Sequence, residues 1–548
     1  MTLSDRVRHA APAAGVALLA LAASVWSLTN GFVYDDVHAI VRDERIHSLA
    51  AWWEVFTRPY WSAAIGAGLY RPLTSLAYAL LWALGKGSAL PYHAANIVLY
   101  TLVCVAVWRL ARHLLPAGAA WLAAALFAVH PVHVEAVAGA VGLAELLASL
   151  AVVAAVAVYV SARRRGDVTL AGGALVAALY VMATLAKEHG VLLPALLAAA
   201  ELTVVDDRRP WRTRARALAT LFVVLTMIGG AYVVARDLVP GVTLADASVA
   251  PLARYERTAR VYTFLSIVPE WARLFLWPAR LSADYSPPAV AVVEHPSLAL
   301  LPGAAILMIF LALIVAARRR APVVTFGLVW AAITLALVTN LVVLAGFLLA
   351  ERTLFLASVG VVLAVGAGVA LLRPRLAALP SAPRRAAAAA VALLLAAGVT
   401  RSALRQRVWR DDETLLARTV ADAPLSYRAH WMWSIRLFET GRLAAGEREA
   451  RIALRLHERD PALHTDLAAR YKLAGRCDAA VPLFRSALAL DPWRNDARLL
   501  LLECLFALGE FSAARAEADS GARYWPKDPG VARAAVLADS LLALRIGR

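Results

Sequence analysis

The chain has few of the residues that cover a soluble surface or staple a small secreted domain. Of 548 residues only 17% are charged and three are cysteine, whereas a soluble domain is about a quarter charged. So few cysteines exclude a disulfide framework or a cysteine-rich metal site. Acidic side chains are the scarcer sign, 39 Asp and Glu against 56 Lys and Arg, a formal +17. What is abundant is apolar: 61% of the residues, too many for a disordered chain or a large soluble enzyme. The positive surplus does not read as a nucleic-acid surface either. Its arginines fall in short knots between apolar stretches, not on one face.

Apolar segments of about 17–25 residues can cross the hydrocarbon as helices. Eleven are expected, near 10–29, 91–108, 119–138, 143–162, 168–186, 189–205, 217–235, 299–317, 321–345, 353–372 and 386–403. The first resembles a signal peptide, but no small-residue cleavage site precedes Asn30, so it reads as an uncleaved anchor. If the eleven alternate, Arg6/Arg8, Arg109/Arg112, Arg163–Arg165, Arg208–Arg216, Arg318–Arg320 and Arg373–Arg385 share one side. The positive-inside rule makes that side cytoplasmic, with the N-terminus, and puts the C-terminus outside. Residues 259–279 are nearly apolar enough to add a span, but Glu270 and Arg273 make an interfacial or re-entrant helix the better reading.

From about residue 405 the composition becomes that of a soluble helical domain. Gly441, Gly475 and Gly509 recur at a spacing of 34, and the small residues Ala453, Ala487 and Gly521 follow each by twelve. Asp460-Pro461, Asp491-Pro492 and Asp528-Pro529 punctuate the ends. This is the tetratricopeptide period, three repeats of which stack into a short solenoid with a concave binding face. Two domains follow, a membrane domain over 1–404, with a first outer loop at about 30–90, and a repeat domain over 405–548.

The outer side carries the chemistry. Asp35 and Asp36 stand where the first span meets the surface, and adjacent carboxylates there are expensive unless they work, pair or bind metal. One could take a proton from an acceptor hydroxyl, or both could hold a divalent cation. The plain alternative is that one caps the helix starting near Val37. The aromatics Trp52, Trp53, Phe56, Tyr60, Trp61 and Tyr70 suit a helix lying in the interface. In His130-Pro131-Val132-His133-Val134-Glu135 the proline breaks the helix that would align a metal set, which favours substrate or hydrogen-bond roles at a helix end. Lys187-Glu188 and Glu351-Arg352 each place a cation at an outer helix boundary, able to hold a phosphate by charge-assisted hydrogen bonds. The competing reading is local ion pairing. Glu145, inside the next span, is either paired or faces a polar cavity.

Taken in order, these stretches resemble the transmembrane and tetratricopeptide-repeat-containing family of O-mannosyltransferase-like proteins, of the GT-C glycosyltransferase group. The matching segments are FVYDDVHAIVRDERI, YRPLTSLAYAL, PYHAANIVLYTL, ALFAVHPVHVEAVA, LAKEHGVLLP, LFLWPARLSADY and LAERTLFLASVG, then the repeats. The resemblance implies an all-α GT-C-like membrane fold and inverting transfer from a polyprenyl-phosphate-linked sugar to Ser/Thr hydroxyls of extracytoplasmic proteins. It makes Asp35 and Asp36 the catalytic pair, and His130, His133, Glu135, Lys187, Glu188, Glu351 and Arg352 substrate-binding. It implies a protein acceptor met through the repeats, membrane lipids as surroundings and no nucleic-acid partner. No organic cofactor is implied; Mg or Mn on Asp35 and Asp36 is the one metal role left open. Gly142-Leu143-Ala144-Glu145 departs from the family's Gly-Arg-Ala-Glu/Asp by one cation. High Ala and Arg content suggests a bacterial inner-membrane protein. A lipid or envelope-polysaccharide acceptor, or a non-catalytic scaffold acting through the repeats, are the alternatives.

Overall fold

The computed structural model describes residues 3–61, 68–242, 251–253, 255–378 and 380–546, without the side chains of 3–10, 376, 545 and 546. The side chains of Arg6 and Arg8, and parts of the outer loops at 30–90 and 236–298, therefore lie outside the described residues. The described residues are helical, with no β-strand among them. The chain divides into two compact units, Met1–Tyr285 with Val290–Arg418, and Ser286–Ala289 with Thr419–Arg548.

In the first unit the helices are α1 (Leu3–Ser24), α2 (Pro72–Gly85), α3 (Leu90–Leu114), α4 (Ala117–Ala128), α5 (Val134–Ala138), α6 (Leu143–Arg165), α7 (Leu170–Ala186), α8 (Leu193–Thr203), α9 (Trp211–Asp237), α10 (Arg257–Leu276), α11 (Leu301–Ala317), α12 (Pro322–Ala336), α13 (Phe355–Ala378) and α14 (Ser381–Gln406); α15 (Asp412–Asp422) follows. Pro72, Pro91, Pro194, Pro302 and Pro322 stand in the first turns of α2, α3, α8, α11 and α12. There the missing N–H is one that no helix bonds internally.

Seven described stretches are long and apolar enough to cross a membrane: Ala11–Thr29, Leu90–Leu114, Ala140–Arg165, Trp211–Asp237, Leu298–Ala317, Glu351–Arg375 and Ser381–Trp409. Each falls on an expected span, so the protein is a multi-pass membrane protein. The other four expected spans are short or broken apolar helices outside those seven. The 119–138 span is broken, with Ala117–Ala128 and Pro131–Ala138 bent by 48°, because Pro131 has no N–H to continue the ladder. The 168–186 span is the 17-residue α7. The 189–205 span divides into a tight turn, Glu188–Leu192, and the 11-residue α8. The 321–345 span stops at Ala336, and the chain beyond it turns at Asn340. Asn340 lies at φ 59°, and its side chain accepts from Ala345 N–H and donates to the Phe347 carbonyl. The 259–279 segment forms α10, in which Glu270 and Arg273 pair with each other at 2.5 Å.

The membrane core is alanine-rich and closely packed. Gly327 on α12 and Gly360 on α13 face one another, and a Cβ on either would collide with the other's carbonyl oxygen. Such small-residue pairs let membrane helices approach backbone to backbone. At one end of the bundle Arg163, ending α6, bonds Glu201 of α8 at 2.8 Å, Asp207 at 2.6 Å and Asp167 at 3.0 Å. Arg209 and Arg214 complete this network on the same carboxylates. The ends of α6 and α8 and the starts of α7 and α9 are thereby tied together.

Residues 405–418 cluster with the first unit, and the second unit takes up the chain again at Thr419. Trp409 and Leu415 are buried with Val33, Val134, Ala138 and Ala283. Asp412 accepts from Tyr34 N–H at 2.7 Å.

In the second unit three helical hairpins succeed one another: α16 (Tyr427–Glu439) with α17 (Leu443–Leu456), α18 (Pro461–Leu473) with α19 (Cys477–Leu490), and α20 (Asn495–Ala507) with α21 (Phe511–Tyr524). The closing helix is α22 (Pro529–Ile546). Gly441, Gly475 and Gly509 end the first helix of each hairpin at φ 75°, 73° and 72°. At all three the next residue's N–H reaches five residues back, and the glycine N–H three. This left-handed cap favours glycine because it carries no Cβ. Ala453 and Ala487 are buried, and a Cβ on Gly521 would lie 2.6 Å from Arg498 Cδ. Cys477 and Cys504 form a disulfide between α19 and α20.

Candidate active site

Tyr34, just before the two aspartates, sits at φ 57°. A bulky residue there is strained, and strain of this kind gathers at functional sites. The turn sends the two carboxylates different ways. Asp36 is buried and accepts three backbone N–H groups: Val141 at 2.8 Å, Val33 at 3.1 Å and Ala140 at 3.1 Å. It clamps the first loop onto the start of α6. Burial pushes Asp36 up to about 7, against the pull of those amides, with Asp35 adding a smaller upward push. Asp35 is half-buried and has neither hydrogen bond nor ion pair among the described residues. Its charge is felt by Tyr60 and by Arg352.

Arg352, in the turn just before α13, is held by Glu135 of α5. The carboxylate accepts the Arg352 backbone N–H at 2.8 Å and pairs with its guanidinium. Glu135 is 3% exposed and Arg352 29%, so the cation is the member that reaches open space. Lys187, after α7, bonds Glu145 of α6 at 2.5 Å. Burial lowers Lys187 below the ordinary lysine range, with Glu145 opposing and Arg71 adding to the fall. Glu188 is taken by Arg71, whose Nε and Nη2 donate to it at 2.8–3.1 Å. Burial raises Glu188, and Arg71 more than offsets it, leaving the carboxyl below its usual range.

The remaining expected residues are engaged internally. His130 accepts from Val132 N–H through Nδ1, and its Nε2 bonds the Phe275 carbonyl at 3.0 Å. His133 is buried, with Nδ1 on Tyr100 Oη and Nε2 on Ser358 Oγ at 2.8 Å. Glu351 is buried and accepts from Ser282 N–H and Tyr285 O–H, each at 2.6 Å. Among the nine expected residues, Asp35 has no partner among the described residues, while the paired cations Arg352 and Lys187 stay 29% and 15% exposed. A divalent cation does not fit this donor set. Asp36 spends its oxygens on amides, Asp35 stands near a guanidinium, and no group of three His, Cys, Asp or Glu gathers among the described residues.

Sequence reasoning assigned Arg71 no site role and placed Tyr60 among the interfacial aromatics. Tyr60 bonds Tyr78 Oη at 3.1 Å and lies beneath the Arg71 guanidinium. An arginine directly before a helix-opening proline, inside an aromatic loop, was the signal available.

A family model for the tetratricopeptide repeat matches residues 472–538. Protein O-mannosyl-transferase TMTC3 of Mus musculus is 34% identical over 192 residues, 34% of this chain and 21% of its own length. Protein O-mannosyl-transferase Tmtc2 of Drosophila melanogaster is 34% identical over 272 residues, 47% of this chain and 29% of its own. Protein O-mannosyl-transferase TMTC4 of Homo sapiens is 25% identical over 482 residues, 77% of this chain and 63% of its own. The matched segments thus span from 21% to 63% of these relatives.

Fold and site together define a multi-pass helical membrane protein with a charged cluster at one end of its bundle and a C-terminal tetratricopeptide array. The chain is similar to proteins named protein O-mannosyl-transferases, the resemblance its motifs carried.

Proposed function

We propose that this chain is an inverting GT-C glycosyltransferase that moves mannose or another hexose from a polyprenyl-phosphate donor to Ser/Thr hydroxyls of extracytoplasmic proteins. The observation that carries the reading is the unpartnered, half-buried carboxylate of Asp35 directly after the left-handed turn at Tyr34, in a cluster whose other acids are all engaged. Asp35 takes the proton of the acceptor hydroxyl while its oxygen forms the bond to sugar C1. The bond from C1 to the phosphate oxygen breaks on the opposite face, and the electron pair leaves with the phosphate. Arg352 and Lys187 stabilise the charge that develops there. Asp36 does no proton transfer; it fixes the loop that aims Asp35. The repeats bring the acceptor protein. Arginine placement supports an inner-membrane protein with its N-terminus cytoplasmic and its repeats outside.

The test is transfer from radiolabelled lipid-linked mannose in membranes. Asp35→Asn should abolish transfer with folded protein still present. Wild-type rates in that variant would sink the assignment of the base.

A further inference from the structure

Arg71 and Lys187 come from distant parts of the chain yet are held side by side, because Glu188, the residue after Lys187, accepts from the Arg71 guanidinium at 2.8 Å; Arg352 is the third cation of the site. Gathering like charges is unfavourable unless something anionic joins them. Each already has a carboxylate, Glu188, Glu145 and Glu135 respectively. These pairs balance the three charges, so what points to a further anion is the geometry of Arg71.

Arg71 is the most firmly held of the three. Its backbone is fixed on both sides, by Tyr232 O–H on the Tyr70 carbonyl at 3.3 Å and by Thr74 O–H on the Ala186 carbonyl at 2.8 Å. Glu188 occupies Nε and Nη2, and the Tyr60 ring centroid lies 4.9 Å from the guanidinium carbon. Nη1 has no partner among the described residues and is not sealed in. A guanidinium fixed on one edge and one face, with its other edge open, is prepared for an oxyanion. Glu188 has both oxygens on Arg71 and, at 25% exposure against 14% for Arg71, stands at the rim of the pair.

Resting on the donor reading above, we infer that Arg71 is a third phosphate-binding residue of this cluster, taking the phosphate of the lipid-linked sugar, with Glu188 and Tyr60 as its positioning residues. Arg71 then shares the charge of the leaving phosphate with Lys187 and Arg352, and its contact is with phosphate oxygen, not with sugar or lipid chain.

The experiment uses the full chain in nanodiscs of zwitterionic lipid and measures inhibition of transfer by polyprenyl phosphate, by the uncharged polyprenol and by inorganic phosphate. Arg71→Ala should weaken polyprenyl phosphate by about tenfold or more while leaving polyprenol unchanged. Arg71→Lys should recover part of the loss, and Glu188→Gln should show a smaller one. Inhibition by inorganic phosphate alone, at the strength of the lipid phosphate, would assign the site to free phosphate and overturn the lipid source. Equal weakening of phosphate and alcohol would make Arg71 merely structural, and no weakening would remove it from the site; either overturns the inference. If the wild-type chain neither transfers mannose nor responds to polyprenyl phosphate, the donor reading itself falls.

Discussion

Glu135 holds Arg352 twice, through its backbone N–H at 2.8 Å and through its guanidinium, across 217 residues of sequence. Fixing both the backbone and the head of one arginine leaves it little freedom except to present its remaining N–H groups outward.

Glu135→Gln should therefore loosen Arg352 more than it harms the fold. The expected outcome is a loss of about 1–3 kcal/mol in stability and a donor KM raised by about tenfold. Arg352→Lys keeps the charge but loses the planar fork, and should raise donor KM as well. Steady-state kinetics across donor concentration checks both.

The two aspartates should separate in a stability measurement. Asp36→Asn places an N–H₂ group against backbone N–H groups in a buried site, which costs about 1–3 kcal/mol. Asp35 has nothing to lose among the described residues, so Asp35→Asn should melt within about 0.5 kcal/mol of wild type. Thermal melting in detergent reads the difference; equal melting would show that the amide clamp is not made.

Lys187 sets an alkaline limit. Burial lowers its proton affinity, and its charged form is the one that meets phosphate. Raising pH through this lowered value removes the charge, so affinity for polyprenyl phosphate should fall below the ordinary lysine pKa of about 10.4. A guanidinium stays charged throughout that range. Lys187→Arg should therefore flatten the alkaline limb, measured as inhibition by polyprenyl phosphate against pH.

The glycine contact between α12 and α13 predicts a contrast within one helix. Gly360→Ala should force the helices apart at a cost of about 1–3 kcal/mol. Gly368 on the same helix has nothing within 4 Å of a would-be Cβ, and Gly368→Ala should be neutral or stabilising by up to about 1 kcal/mol. Melting temperatures of the two variants check this.

The parts of the fold legible from sequence were those written as long runs or fixed spacings. Seven spans emerged from hydropathy, and the 34-residue rhythm of Gly441, Gly475 and Gly509 marked three identical helix caps. Alternation was legible even where helices are short. Arg163, Glu201 and Arg214 meet at one end of the bundle, while Arg71, Glu188, Lys187 and Glu145 meet at the other. What sequence did not carry was which polar groups consume one another. His130, His133 and Glu351 look like ligands in a motif, yet their partners are Phe275, Ser358 and Tyr285, all distant in the chain. The adjacent aspartates looked like one pair because nothing local reveals that Tyr34 turns left-handed and parts them. Asn340 similarly ended a span by a side-chain bond that hydropathy does not weigh.

The Cys477–Cys504 disulfide joins the second hairpin to the third. A solenoid is a row of joints, each free to flex a little, and a covalent tie stiffens one of them. The joint between Leu456 and Pro461 carries no such tie, so among the described hairpins the second and third are the pair bound covalently into one block.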